Sequence, residues 1–384
     1  MTAGYAYYRL PHDSHYTTVQ GNVQEFHSCT QLNGQSGFVV APFQVSDRQP
    51  ILVIRPDRVE VRGPREEERG TRNEEGGMRL DASLDAAPEQ SSLLSPLSSL
   101  LSNYHIDFSN FHAQLRAGTF RKIVLARCAD EPAAEGVSDK ALFLRACQLY
   151  PRMFIALVHT PQSGTWLTAT PEILLDGDGS RWRTIALAGT VALEGDQLDG
   201  EGETVTWSTK NIEEQRLVAT YIAECLERFT TDFQEEGPRT VRAANLVHLR
   251  SDFTFTLPSD DRLGDLLHAL HPTPAVCGLP KREAFDFIVR NEHTPRRYYS
   301  GFMGPLNLDS SLFTLHSSSE ADSSLFTLHS SLKSTHLYVS LRCMNIEDGV
   351  YHLYAGGGLL KDSQEEQEWQ ETENKLGTMR QVIR

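Results

Sequence analysis

"MFIALVHTPQSGTWLTATPEILL", Met153 to Leu175, contains two short runs rich in aromatic and β-branched residues, cut by Pro161, Gly164 and Pro171. Such runs between turn residues read as strands. The gap between "MFIALVHT" and "TWLTAT" is too short for the crossover that a parallel pair requires, so the two pair antiparallel. "RTIALAGTVAL", Arg183 to Leu193, reads as a further strand, as does "FRKIVLARCA", Phe120 to Ala129; "DKALFLRACQLYP", Asp139 to Pro151, reads as a helix. Close strands with irregularly placed helices predict an α+β fold rather than a doubly wound parallel sheet.

The chain has 384 residues, 39% of them hydrophobic, enough to build a sizeable core. A net charge of -15 argues against nucleic acid as a partner, because phosphate binding needs a basic surface. No apolar run approaches the ~20 residues of a membrane helix, and the opening "MTAGYAYYRLP" lacks a signal-peptide pattern. Six cysteines without CxxC spacing read as reduced thiols. The expectation is a cytoplasmic protein, a monomer or weak dimer, acting on a small molecule.

Residues 1–110 hold strand-like pieces, "GFVVAPF" and "ILVI", followed by a polar stretch near 63–99 expected to be a disordered insertion. Residues 111–384 form the second region. Within it, "DSSLFTLHSS" occurs at Asp309–Ser318 and again at Asp322–Ser331, which reads as a duplication in a surface loop near 309–333. Two copies are too few for a solenoid.

Acidic residues carry the chemistry. In "WSTKNIEEQRLVATYIAECLERF" the helical period places Leu217, Val218, Tyr221, Ile222, Cys225, Leu226 and Phe229 on one stripe, with Glu214 inside it. A carboxylate on a buried face needs a cation or a metal, although a first-turn Glu can simply complement the helix dipole. In "EEQEWQETENKLGTM", Glu368 and Glu371 are spaced i,i+3 and Lys375 lies four residues after Glu371. That pattern fits either a solvated surface pair or an oxygen-rich Mg2+ site serving an anionic substrate. Lys122, on a strand face with Val124 and Ala126, either snorkels to water or is a desolvated base. Glu172, after Pro171 at a strand boundary, is a turn residue or an acid facing a cleft. "YAGGGLL" offers N–H groups for a carboxylate-binding nest.

Taken in order, "KIVLAR", "TPEILL", "LAGT", "KNIEEQRLV", "HPTPAVCG", "YYSGFMG", "LRC" and "AGGGLL…EWQETENKLGTM" resemble the chorismate-utilising enzymes, and among these the isochorismate synthases. The resemblance runs from about Phe111 to the C-terminus, apart from the repeat. It implies large two-layer antiparallel sheets with helices packed outside and a cleft between them. It implies Mg2+ held by Glu214 and Glu371, with Glu368 in support, Lys122 as the base that activates water, and Glu172 as the acid that protonates the departing hydroxyl. Arg342 and Lys375 would hold substrate carboxylates, aided by Gly189, Thr190, Gly356, Gly357 and Gly358, with His271 and Tyr299 lining the same cleft.

The implied reaction is the isomerisation of chorismate to isochorismate, feeding menaquinone or siderophore synthesis. Ammonia-using relatives carry Gln at the position of Lys122, and a branch with a covalent intermediate carries Lys at that of Ala188. Salicylate synthases share Lys122 and Ala188 and are the rival reading; an inactive chorismate-binding scaffold is another. The run "AGGGLL", where the family more often has Ala in the middle and Ile after it, departs from the family pattern, as does Asn211.

Overall fold

A computed structural model describes residues 3–63, 94–193, 205–243, 246–316 and 333–384. Its strands begin with β1 (Ala3–Arg9), β2 (Tyr16–Phe26), β3 (Gly37–Ala41), β4 (Ile51–Arg62), β5 (Lys122–Pro132) and β6 (Phe154–Thr160). Next come β7 (Gly164–Thr170), β8 (Ile173–Asp178), β9 (Arg181–Ala192), β10 (Phe233–Ala243), β11 (Leu246–Thr256) and β12 (Gly278–Leu279). The last are β13 (Phe302–Leu306), β14 (Leu308–Asp309), β15 (Phe313–His316), β16 (Lys333–Val339), β17 (Cys343–Glu347) and β18 (Val350–Leu359). The helices are α1 (Leu94–Arg116), α2 (Asp139–Leu149), α3 (Thr209–Leu226), α4 (Leu263–Leu270), α5 (Lys281–Asn291) and α6 (Glu365–Ile383).

The hairpin over Met153–Leu175 forms as expected, with Phe154 opposite Thr170 and Thr160 opposite Gly164. Gly164 sits at φ 71, a conformation favouring glycine. Trp166, fully buried, donates Nε1–H to Ser163 O at 3.0 Å and so fastens the turn. Burying such a ring removes roughly 150–250 Å² from water, an upper bound of about 4–6 kcal/mol.

From this hairpin the strands extend as one hydrogen-bonded ribbon. β6 pairs with β1, β1 with β2, and β2 with β4 on one side. β7 pairs with β17, β17 with β18, and β18 with β5 on the other. Beyond β4 the ribbon continues through β3, β13, β16, β8, β9 and β11 to β10. Among the described residues every pairing is antiparallel except β15 on β4. The ribbon folds over itself into two layers that share one interior, where Phe38, Phe154, Trp166, Tyr298, Met303 and Tyr338 meet. Outside, α3 and α4 cover one layer and α2 and α6 the other. α1 and α5 pack around Ile123, Leu125 and Leu359 of β5 and β18. The α+β architecture with helices outside is therefore the one observed.

Three local expectations change. The stretch near 63–99 ends in helix, since α1 begins at Leu94; residues 64–93 lie outside the described residues. The first repeat copy is more than loop: Phe313–His316 adds a parallel strand to Val59–Arg62. The second copy lies outside the described residues. The glycine triplet forms no nest. Gly356, Gly357 and Gly358 continue β18 opposite Ala126, Leu125 and Val124.

Candidate active site

Where β5 begins, β18 ends and the first turns of α3 and α6 approach, the layers open into a cleft of about 650 Å³ counted to its mouth. Its wall includes Glu172, Ala188, Gly189, Thr190, Glu214, Tyr299, Arg342, Gly356, Gly358, Glu371 and Lys375. Lys122 and Glu368 stand directly behind it.

Lys122 is fully buried, with its ammonium 3.0 Å from Glu214 Oε1. Burial pushes the Glu214 carboxyl up, but Lys122, then Lys210 and Lys375, outweigh it and hold the group below the usual carboxylate range. Ser208 caps α3 by accepting from Asn211 N at 3.2 Å, which fixes the turn that carries Lys210 and Glu214. On α6, Lys375 donates to Glu371 Oε1 at 2.7 Å and to Gly356 O at 2.8 Å. Lys210 donates to Glu368 Oε1. Three carboxylates thus face three ammonium groups.

Glycine supplies room at this corner. A Cβ on Gly358 would lie 2.1 Å from Glu214 Oε1, and one on Gly357 would lie 3.5 Å from Glu368 Oε2 and 3.7 Å from Glu371 Oε1. Glu368 Oε2 is buried without a hydrogen-bond partner. Burial and the neighbouring Glu371 push the Glu368 carboxyl up, with Lys210 pulling it back. An all-oxygen, carboxylate-rich set with one oxygen unengaged is the donor chemistry Mg2+ takes. The three glutamates do not close to within 4.8 Å of one another; each is drawn to its lysine. Closing them on one ion means loosening at least one of those pairs.

Glu172 is buried and lines the same cleft, and burial raises its carboxyl to about 7 despite the opposing pull of Lys122, Lys375 and Arg342. Arg342, at φ 46, donates Nη1–H to Ala243 O at 3.1 Å and Nη2–H to His248 Nε2. Burial brings its guanidinium down to about 10. Because an arginine only donates, His248 Nε2 must accept and Nδ1 must carry the proton, which goes to Gly189 O at 3.1 Å. Burial, then Arg342 and Lys375, keep this imidazole neutral, its pKa well below the ordinary value. Gly189, at φ 71, is the extra residue of a β-bulge, since His248 faces Thr190 while Leu249 faces Ala188.

His248 and Lys210 were not singled out in the sequence. Both have partners far along the chain, and "LVHLR" reads locally as a strand alternating apolar and polar residues, His248 and Arg250. His271 departs from expectation: its ring lies edge-on to Phe302 at 5.0 Å and Nε2 meets Pro42 O at 3.2 Å, behind the cleft wall. The loop that follows it reaches the cleft instead, through Ala275 and Val276. Arg296 locks that loop, donating to Val276 O at 2.6 Å and to Val124 O at 2.8 Å while ion-paired with Glu292 at 2.6 Å.

The sequence pattern of the family described as "Chorismate binding enzyme" matches residues 69–312 and 329–384. The chain belongs to the chorismate binding enzyme family. The match starts well before Phe111 and passes over 313–328, within the repeat segment. Isochorismate synthase MenF of Escherichia coli K12 is 32% identical over 269 residues, 69% of this chain and 56% of MenF. The salicylate biosynthesis isochorismate synthase of Pseudomonas aeruginosa is 30% identical over 275 residues, 71% of this chain and 52% of that protein. The chain thus spans little more than half the length of these curated relatives. Among solved structures, the menaquinone-specific isochorismate synthase MenF from Escherichia coli superposes with TM-score 0.73 over 99% of this chain and 89% of that one, at 23% identity. Anthranilate synthase component I from Streptococcus pneumoniae gives 0.61 over 95% and 80%, at 16% identity. These likenesses establish the fold. Among the described residues no helix is long and apolar enough to cross a membrane.

Proposed function

We propose that this member of the family is an isochorismate synthase, converting chorismate to isochorismate. The observation that carries the reading is Glu172, a buried carboxyl raised to about 7 that lines one cleft with Glu214, Glu371 and Lys375. A general acid must hold its proton near neutral pH, and this environment does that.

Glu214 and Glu371, with Glu368 in support, would hold Mg2+; when bound, the ion neutralises and orients a substrate carboxylate. Arg342 and Lys375 grip carboxylate oxygens, with Gly189, Thr190 and the space at Gly356–Gly358 admitting the ring and Tyr299 bounding it. In the reactive state Lys122 is neutral, and as the free amine it takes a proton from a water that attacks C2. The double bonds shift, the C4–oxygen bond breaks, and the hydroxyl leaves as water on receiving the proton of Glu172. Water is added and water is lost, so the net change is isomerisation. Ala188 lines the cleft where a covalent mechanism would need a nucleophile, and methyl is inert.

Purified protein incubated with chorismate and Mg2+, with and without EDTA, tests this by chromatography of the products. Metal-dependent isochorismate without salicylate or pyruvate supports the proposal. Salicylate with pyruvate moves the chain to the salicylate-forming branch, and no product favours a binding role without turnover.

A further inference from the structure

Toward the opposite ends of β5 and β18 from the cleft, a thiol, a carboxylate and an imidazole converge. The ligand atoms of Cys128, Asp130 and His352 lie within 4.8 Å of one another, the one such trio of His, Cys, Asp and Glu ligand atoms among the described residues. Strand alternation puts Cys128 and Asp130 on one face of β5, and the register sets His352 directly opposite Asp130. His352 Nδ1 is 2.7 Å from Asp130 Oδ1, and Cys128 Sγ donates to the same oxygen at 3.6 Å. We propose that this trio is a second metal site, for a zinc-class divalent cation, separate from the glutamate cluster.

Tetrahedral Zn2+ binds sulfur at about 2.3 Å and nitrogen or oxygen at about 2.0–2.2 Å, so its ligand edges measure about 3.4–3.6 Å. The sulfur–oxygen edge already has that length. The nitrogen–oxygen edge must open by about 0.7 Å, within reach of a ring turning on a side chain that is 28% exposed. Mixed sulfur, nitrogen and oxygen donors select Zn2+ or Co2+ over Mg2+, which prefers oxygen alone. Two paired strands hold the ligands in place, and water completes the fourth position. Eight residues of strand, about 27 Å, separate Asp130 from Lys122, so the site stands apart from the proposed chemistry.

Co2+ titration of the full chain, with Mg2+ in excess to occupy oxygen-only ligands, tests this through the near-ultraviolet sulfur-to-cobalt charge-transfer band. One equivalent should bind with that band. Cys128→Ser should abolish the band, and His352→Gln should weaken binding at least ~10-fold, the least that losing even an outer-shell partner of a ligand costs. Cys147→Ser, removing the other half-exposed thiol, should change neither. Absence of the band in the parent chain, its survival in Cys128→Ser, or unchanged affinity in His352→Gln overturns the proposal. Should Cys128→Ser fail to fold, the His352→Gln titration decides alone.

Discussion

The ammonium of Lys122, fully buried at the start of β5, lies 3.0 Å from the carboxylate of Glu214, 92 residues later on α3. A buried charge that loses its partner is destabilising by about 3–5 kcal/mol. Lys122→Ala is therefore expected to abolish isochorismate formation and to lower unfolding stability by that order. The double variant Lys122→Met/Glu214→Gln should recover stability without activity. Denaturant unfolding and product assays on the same preparations check both halves, and an active Lys122→Ala removes the residue from its proposed role.

Glu172 gives a pH dependence with a defined sign. Its folded pKa, about 7, exceeds the ordinary 4.5, so between those values the folded state binds more protons than the unfolded one. Stability contributed by the neutral carboxyl is full below about pH 4.5 and declines as pH rises to about 7, by about 3 kcal/mol in all. Against Glu172→Gln, which stays neutral, the parent chain should lose relative stability across that window. Its kcat/KM should also fall above about pH 7 as the acid ionises. A flat stability difference from pH 4.5 to 7 would refute the raised pKa.

At Gly358 a methyl group would meet the Glu214 carboxylate at 2.1 Å and the Lys122 side chain at 3.0 Å. Gly358→Ala should displace that pair, with overpacking of about 1–3 kcal/mol and a large loss of turnover. Calorimetric titration with Mg2+ should show weaker binding in Gly358→Ala and in Glu371→Ala. Unchanged Mg2+ affinity in Glu371→Ala would sink its ligand assignment.

Deleting 319–331 leaves the first repeat copy joined to Leu332 and keeps the strand that pairs with Val59–Arg62. Loop length weighs little on stability, about 0.6 kcal/mol per doubling. The shortened chain should unfold at a similar denaturant concentration and turn over chorismate within about twofold of the parent. A large loss would assign the second copy a role in the fold or the site.

The antiparallel hairpin was legible because its determinants, Gly164, Pro161 and the alternating strands, lie within a few residues of one another. The stripe of α3 and the i,i+3 glutamates of α6 were legible for the same reason. Burial of Lys122 was not: local alternation favoured a side chain reaching for water, and its neighbours, Glu214 of α3, β12 and Gly358 of β18, are all distant in sequence. His248 escaped notice because its role rests on Arg342, Gly189 and Thr190, all distant in sequence. His271 was misplaced because a motif fixes the order of residues, not which side of a loop faces the cleft.

The three lysine–glutamate pairs also set how cargo can enter. Each acid already has a counter-charge, so the floor of the cleft resembles an ion exchanger loaded with its own ions. A lone divalent cation would add two positive charges beside three ammonium groups, and a lone dianion two negative charges beside three carboxylates. Arriving together, the two neutralise each other and allow each lysine to trade one anion for another. Metal and substrate should then tighten each other's binding by the same factor, as linkage requires.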